Sequence, residues 1–209
     1  MAGVRFDELV DRARRLAAPG GRRLLGIAGA PGSGKSTLAR RLVDALDGRA
    51  ALVGMDGFHL AQRELERLGI ADRKGAPDTF DAAGYLDLLG RLRARGPDVV
   101  YAPEFRREIE EPVACAVPVP PDVPLVVTEG NYLLVRHDRW GRVRAALDEV
   151  WFLRVDEDLR VARLIDRHVR HGRSEAEARE RVLRGTDHVN AQVVNATGSA
   201  ADLVITDVL

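Results

Sequence analysis

Along the chain, short runs of consecutive apolar residues alternate with longer segments whose apolar positions recur every three or four residues. Over residues 4–18 this recurrence places Phe6, Leu9, Val10, Ala13 and Leu16 on one side of a helix. Leu24-Leu25-Gly26-Ile27-Ala28 contains no polar residue and reads as a buried strand. Residues 37–46 return to helical spacing, with Leu38, Leu42, Ala45 and Leu46 together. Ala50 to Met55 predicts a second strand that ends at Asp56. Turn residues crowd positions 69–80, and a helix is expected from Ala82 to about Arg95. The Pro-rich stretch 112–124 suits irregular or edge structure, because proline cannot donate to a sheet ladder. Leu125-Val126-Val127-Thr128 and Val150 to Val155 are further strands, two or three helices fill 157–197, and Leu203-Val204-Ile205 forms a last strand. Apolar strands alternating with helices predict an α/β fold, a mostly parallel sheet covered on both faces.

The first strand and the second helix are joined by Gly29-Ala30-Pro31-Gly32-Ser33-Gly34-Lys35-Ser36-Thr37. The spacing is G-x-x-x-x-G-K-[ST], the phosphate-binding loop, in its required strand–loop–helix setting. Glycines let successive backbone N–H groups face phosphate oxygens without an intervening side chain. Lys35 would reach the β- and γ-phosphates, and the Ser36 hydroxyl would ligate Mg²⁺. The helix that follows presents its positive end to the same anion. All nine residues, Gly29 to Thr37, are therefore candidate contacts for ATP, and the fold is expected to be the three-layer P-loop NTPase sandwich.

Ligands in open α/β sheets sit at the carboxyl ends of the strands. Two acids occur there, Asp56 in Met55-Asp56-Gly57-Phe58-His59 and Glu129 in Thr128-Glu129-Gly130-Asn131-Tyr132. Phosphoryl transfer uses one carboxylate to orient or deprotonate the attacking hydroxyl and another to hold Mg²⁺. Asp56 suits the first role and Glu129, with Ser36, the second. An Asp after a strand also caps turns, but a phosphate loop in the same chain favours the catalytic reading. His59 fits either an acceptor contact or a hydrogen-bonded structural histidine.

Composition narrows the partners. The 209 residues suit a single domain with a small lid, and a hydrophobic content of 45% suffices for its core. Acidic and basic residues balance at 32 each, so no global field draws the chain to nucleic acid or membrane. No apolar run approaches the roughly 18 residues of a membrane span and no signal-peptide pattern opens the chain, which makes a cytoplasmic location the expectation. The lone Cys115 is expected to be a small buried residue. Only two of the basic residues are lysines, Lys35 and Lys74, and a compact ammonium suits a crowded phosphate site better than a planar guanidinium. Arg160, Arg163, Arg167 and Arg170 recur at steps of three, four and three on one helical face, with Val161, Ile165 and Val169 on another. Such a face is either solvated or part of a lid that neutralises the transferred phosphoryl group. No aromatic residues interleave with these arginines, which argues against a nucleic-acid surface.

At four motifs the chain resembles the P-loop kinases that include uridine kinase, phosphoribulokinase and bacterial pantothenate kinase. The motifs are Gly29 to Thr37, Met55 to His59, Arg73-Lys74-Gly75-Ala76-Pro77-Asp78-Thr79-Phe80-Asp81, and Glu129 to Leu134. The likeness spans about 22–206 and is strongest to a bacterial branch labelled nucleoside/nucleotide kinase-like or fructokinase. It implies that Asp56 is the catalytic base and that ATP with Mg²⁺ is the donor. It also implies a lid over about 156–185, with Arg163 and Arg167 on the phosphates and Arg173 joining them beyond the Gly172 hinge. Three departures bear on the acceptor. Gly75 stands where uridine kinases carry a ribose-holding Asp. Their base-contacting His has no counterpart in Pro103-Glu104-Phe105-Arg106-Arg107. Tyr101-Ala102-Pro103 replaces the Tyr-Ser-His of pantothenate kinases.

The sequence therefore predicts a small-molecule kinase whose acceptor pocket draws on His59, Arg73, Lys74, Tyr101, Arg106 and Asn131. A sugar or small polyol is the first choice, with a nucleoside or a pantothenate-like alcohol next; a homodimer is an open expectation. The rivals are a regulatory ATPase and a non-catalytic ATP-binding scaffold. A guanine-specific Asn-Lys-x-Asp motif and an ABC-type Leu-Ser-Gly-Gly-Gln signature are both absent from the chain.

Overall fold

Leu24, Leu25, Ile27 and Ala28 are fully enclosed because β1 (Arg23–Ala28) runs through the middle of a five-stranded sheet. The computed structural model describes residues 4–18, 20–136 and 138–206. The strand order is β2 (Ala50–Gly54), β5 (Leu125–Gly130), β1, β6 (Glu149–Leu153) and β7 (Leu203–Ile205). Every pairing in this sheet is parallel, as buried apolar strands without alternation require. On one face α1 (Phe6–Leu16) and α2 (Lys35–Ala45) pack Leu9, Val10, Leu38 and Leu42 against Leu25, Ile27, Val127 and Trp151. On the other, α4 (Ala82–Ala94) and α7 (Thr186–Asn195) add Leu88, Leu89, Leu92 and Val194 to a core holding Leu24, Val126 and Phe152. The result is the three-layer P-loop fold.

The Pro-rich segment is more ordered than its composition suggests. Residues Val100–Arg106 form β3 and Glu111–Val119 form β4, a separate antiparallel hairpin with a register break between Ala102 and Glu104. Buried Arg22 ties its far end down, donating to the carbonyls of Val123 at 2.9 Å and Leu92 at 3.2 Å. Cys115 lies on this hairpin at φ +58 and is exposed, which corrects the expectation of a buried cysteine. A short helix, α3 (Gln62–Arg67), precedes the turn-rich loop. The expected helices between 157 and 197 are three: α5 (Glu157–Arg170), α6 (Glu175–Leu183) and α7. Asp156 caps α5, and Ser174 with Glu177 forms a reciprocal capping box on α6. No helix among the described residues is long and apolar enough to cross a membrane.

Candidate active site

Strand register sets the site. Glu129 pairs in register with Ile27 of β1 and with Gly54 of β2, so its carboxylate sits where the phosphate loop leaves the sheet. Asp56 follows β2 in a 3₁₀ turn, Met55–Phe58. That turn lies directly under the hairpin: a Cβ on Gly57 would come within 2.4 Å of the Pro103 carbonyl oxygen. Gly57 therefore lets the hairpin close over Asp56, and any side chain there would push the two apart.

The phosphate loop is shaped for an anion. Gly32 has φ +86, and a Cβ on it would meet the Arg160 carbonyl at 2.7 Å. Gly34 stands in the left-handed region at the start of α2, and no side chain caps that helix, unlike α5 and α6. Its first-turn N–H groups thus open onto the loop. Ser33 Oγ is buried without a hydrogen-bond partner. Lys35 is only 8% exposed, and burial lowers its pKa despite Glu129 and Asp56 nearby. A buried ammonium beside bare N–H groups fits a polyphosphate. Ser36 Oγ donates to Glu129 Oε1 at 3.1 Å, an all-oxygen pair suited to Mg²⁺, which binds through few protein ligands when phosphate oxygens complete its shell.

The two acids are held in different states. Burial raises the pKa of Glu129, and the charge of Asp56 adds to the rise against the pull of Lys35. Burial also opposes ionisation of Asp56, but neighbouring positive charges outweigh it and hold its carboxyl below the usual range. His59 is the first of these charges, followed by Lys35, Arg107 and Arg167, and burial lowers the pKa of His59 itself. Arg107 Nη2 donates to Asp56 Oδ2 at 3.1 Å. His59 Nδ1 donates to the Asp56 carbonyl at 2.7 Å, which leaves Nε2 as the acceptor nitrogen.

A cavity of about 450 Å³ joins these groups. Pro31, Lys35, Ser36 and Asp56 line it at the phosphate loop, with His59, Lys74, Asn131, Arg167 and Arg173 around the rest. Asn131 Oδ1 is buried there with no partner. Lys74 Nζ donates to the Glu110 carbonyl at 2.6 Å and lies over the Phe105 ring. Three expected acceptor residues lie elsewhere. Arg73 pairs with Asp78, Arg106 reaches Glu104 and Glu108, and Tyr101 is 52% exposed. For Tyr101 and Arg106 the cause is strand alternation: Tyr101 faces out beside buried Ala102, and beyond the register break Glu104 and Arg106 point outward, whereas Phe105 and then Arg107 turn toward Asp56. Arg107, which sequence reasoning grouped with Arg106 as a donor near the acceptor, lines the cavity, as do His168, Arg181, Asp187 and Asn190, which it missed. Period-two reading of β3 from Ala102 would have favoured Arg107 over Arg106 only with the register break in view.

The arginine face of α5 divides into four environments. Arg160 is 2% exposed and donates to the Pro31 carbonyl at 2.9 Å, clamping the helix to the phosphate loop. Arg167 enters the main cavity, and burial lowers its pKa. Arg163 lines a second cavity of about 480 Å³ on the far side of the loop, with Gly34, Thr37 and Arg41. Arg170 pairs with Asp166 in solvent. The expected apolar face is only partly covered, since Val169 is exposed.

A phosphate loop at the carboxyl edge of a parallel sheet, two strand-end carboxylates and arginines from an overlying helix define a P-loop kinase. The chain belongs to the phosphoribulokinase/uridine kinase family, whose model matches residues 24–208. It is 34% identical to a Schizosaccharomyces pombe (strain 972 / ATCC 24843) protein provisionally named uridine kinase C227.14, over 96% of this chain and 89% of that one. A crystal structure from Silicibacter sp. TM1040, provisionally named a fructose transport system kinase, superposes with TM-score 0.88 at 37% identity, covering 97% of this chain and 99% of the other. The pantothenate kinase of Limosilactobacillus reuteri is 37% identical over 54% of this chain, which spans 36% of that enzyme. The protein is thus a small-molecule kinase that uses ATP with Mg²⁺ to phosphorylate a hydroxyl group.

Proposed function

We propose that the acceptor is a sugar or other small polyol, and that Asp56 takes the proton from its attacking hydroxyl. The observation that carries this reading is the single cavity in which Lys35 and Ser36 face Asp56 and the polar groups of His59, Lys74 and Asn131. Lys35, Arg167 and Arg173 meet the β- and γ-phosphates, and Arg163 and the second cavity receive the rest of the nucleotide. Ser36 and Glu129 would hold Mg²⁺, which would supply positive charge to the phosphates. Neighbouring positive charges, His59 and Lys35 before Arg107, hold the Asp56 carboxyl below its usual range, and Arg107 donates to the carboxylate and orients it, so the proton-accepting form is the one present at neutral pH. His59 Nε2 and Asn131 Oδ1 accept from acceptor hydroxyls, and Lys74 donates to them. Helices α5 and α6 act as the lid.

A nucleoside is the second reading, supported by the name of the Schizosaccharomyces pombe relative and by Phe80 and Phe105 in the cavity wall. Their faces, however, are taken: the His59 ring lies 4.0 Å from the Phe80 centroid and 4.6 Å from that of Phe105. Gly75 also supplies no carboxylate for ribose. The name of the Silicibacter relative supports the sugar. The test compares kcat/KM for fructose, a sugar phosphate, uridine, cytidine and pantothenate. A sugar or sugar-like acceptor is expected to lead every nucleoside by tenfold or more, about 1.4 kcal/mol of transition-state preference. A nucleoside leading by that margin would sink this reading.

The two lid arginines are expected to differ. Arg167→Ala should lower kcat by on the order of 10²–10³-fold with little change in KM for ATP, because the charge it meets develops in the transition state. Arg163→Ala should mainly raise KM for ATP. If both variants altered thermal stability alone, α5 would be an ordinary solvated helix.

A further inference from the structure

A polar chain runs from the helix over the phosphate loop to the loop that carries Lys74. Its hub is Asp187, in the first turn of α7 and 7% exposed. From α5, His168 Nε2 donates to Asp187 Oδ2 at 2.7 Å. From α6, Arg181 Nε lies 3.4 Å from the same oxygen, and its Nη2 donates to the Lys74 carbonyl at 2.9 Å. One turn further along α7, Asn190 Nδ2 donates to the Gly75 carbonyl at 3.0 Å. His168 directly follows Arg167 on α5, so a movement of the helix that carries Arg167 toward a phosphate carries His168 with it.

Two features separate this chain from ordinary packing. Arg181 Nε is buried yet makes no hydrogen bond among the described residues, so a slight approach to Asp187 would complete one. Helix α5 also leaves Leu159 and Val169 exposed, so polar contacts carry much of its attachment to the body of the protein. Elements held this way open and close at low cost, whereas charge-assisted bonds to a buried carboxylate fix one relative position.

We propose that Asp187 is a positioning residue that couples α5 to the loop 71–80, so that nucleotide binding orders the acceptor pocket. The inference rests on the nucleotide site and lid described above. Its test is amide hydrogen exchange of the full chain with and without the Mg²⁺ complex of a non-hydrolysable ATP analogue. In the unmodified protein the analogue should slow exchange in the phosphate loop, in α5 and in 71–80, the last by roughly tenfold, within the usual range of coupling between sites. In Asp187→Asn the phosphate loop should still respond while 71–80 does not. Arg181→Met, which keeps the stem but removes the donor to Lys74, should behave the same way and serves if Asp187→Asn fails to fold. A merely structural role would leave the response of 71–80 intact in the folded variants. If the phosphate loop responds but 71–80 does not in the unmodified protein, or if 71–80 responds equally in both variants, the coupling is refuted and the nucleotide site stands. If the phosphate loop itself is silent, the nucleotide site fails and the coupling with it.

Discussion

Lys35→Ala is expected to abolish phosphoryl transfer, a loss of at least about 10³-fold, while the protein remains folded. The ammonium lies beside the uncapped start of α2, where the β- and γ-phosphates would sit. Arg167 and Arg173 enter the cavity from beyond the phosphate loop and do not take the place of the loop's own ammonium, while Arg160 is committed to the Pro31 carbonyl and Arg163 faces the second cavity. Stability should change little or rise. Burial lowers the Lys35 pKa below its unfolded value, so the fold disfavours the charged form and gains nothing from it near neutral pH. Turnover and thermal melting of the purified variant check both halves. Wild-type-like turnover would remove Lys35 from the phosphate site.

Asp56→Asn is expected to lower kcat by on the order of 10²–10⁴-fold, the usual worth of a positioned general base. Asparagine keeps the shape of the side chain and an oxygen for Arg107, so the turn under the hairpin should survive. What is lost is the capacity to accept a proton. Binding of ATP with Mg²⁺, measured by calorimetry without acceptor, should change little, because Ser36 and Glu129 form the metal pair. A variant that kept its kcat but lost nucleotide binding would make Asp56 a metal ligand instead of the base.

The parts of this site that were legible in the sequence are those set by short-range rules. The phosphate loop is a contiguous run whose spacing follows from backbone geometry. Asp56 and Glu129 each follow an apolar strand directly, and a parallel sheet brings such strand ends to one edge. The acceptor side depended on pairings distant in sequence. Arg106 and Arg107 are neighbours, yet the register break at Ala102 decides that Arg107 reaches Asp56. Arg181 and Asn190 lie more than 100 residues beyond the Lys74 loop they contact, Asp187 is tied to that loop through Arg181, and no local pattern marks them. The arginine helix was legible as a period but not as an environment. Its four arginines meet a backbone carbonyl, two different cavities and solvent, according to which part of the body each turn of α5 faces. The prolines left irregular or edge structure open for 112–124, and the edge alternative formed as β4, while the exposure of Cys115 on it was not legible.

The central claim is that the cavity around Asp56 transfers a phosphoryl group to a small alcohol. The most direct measurement follows the label from ATP radiolabelled at the γ-phosphorus, incubated with the protein, Mg²⁺ and each member of the acceptor panel. Label is expected on a small polyol or its phosphate, with little released to water without acceptor, and Lys35→Ala and Asp56→Asn should both suppress the transfer. Release of label as inorganic phosphate at the same rate with and without every acceptor would contradict it, and would make the protein an ATPase.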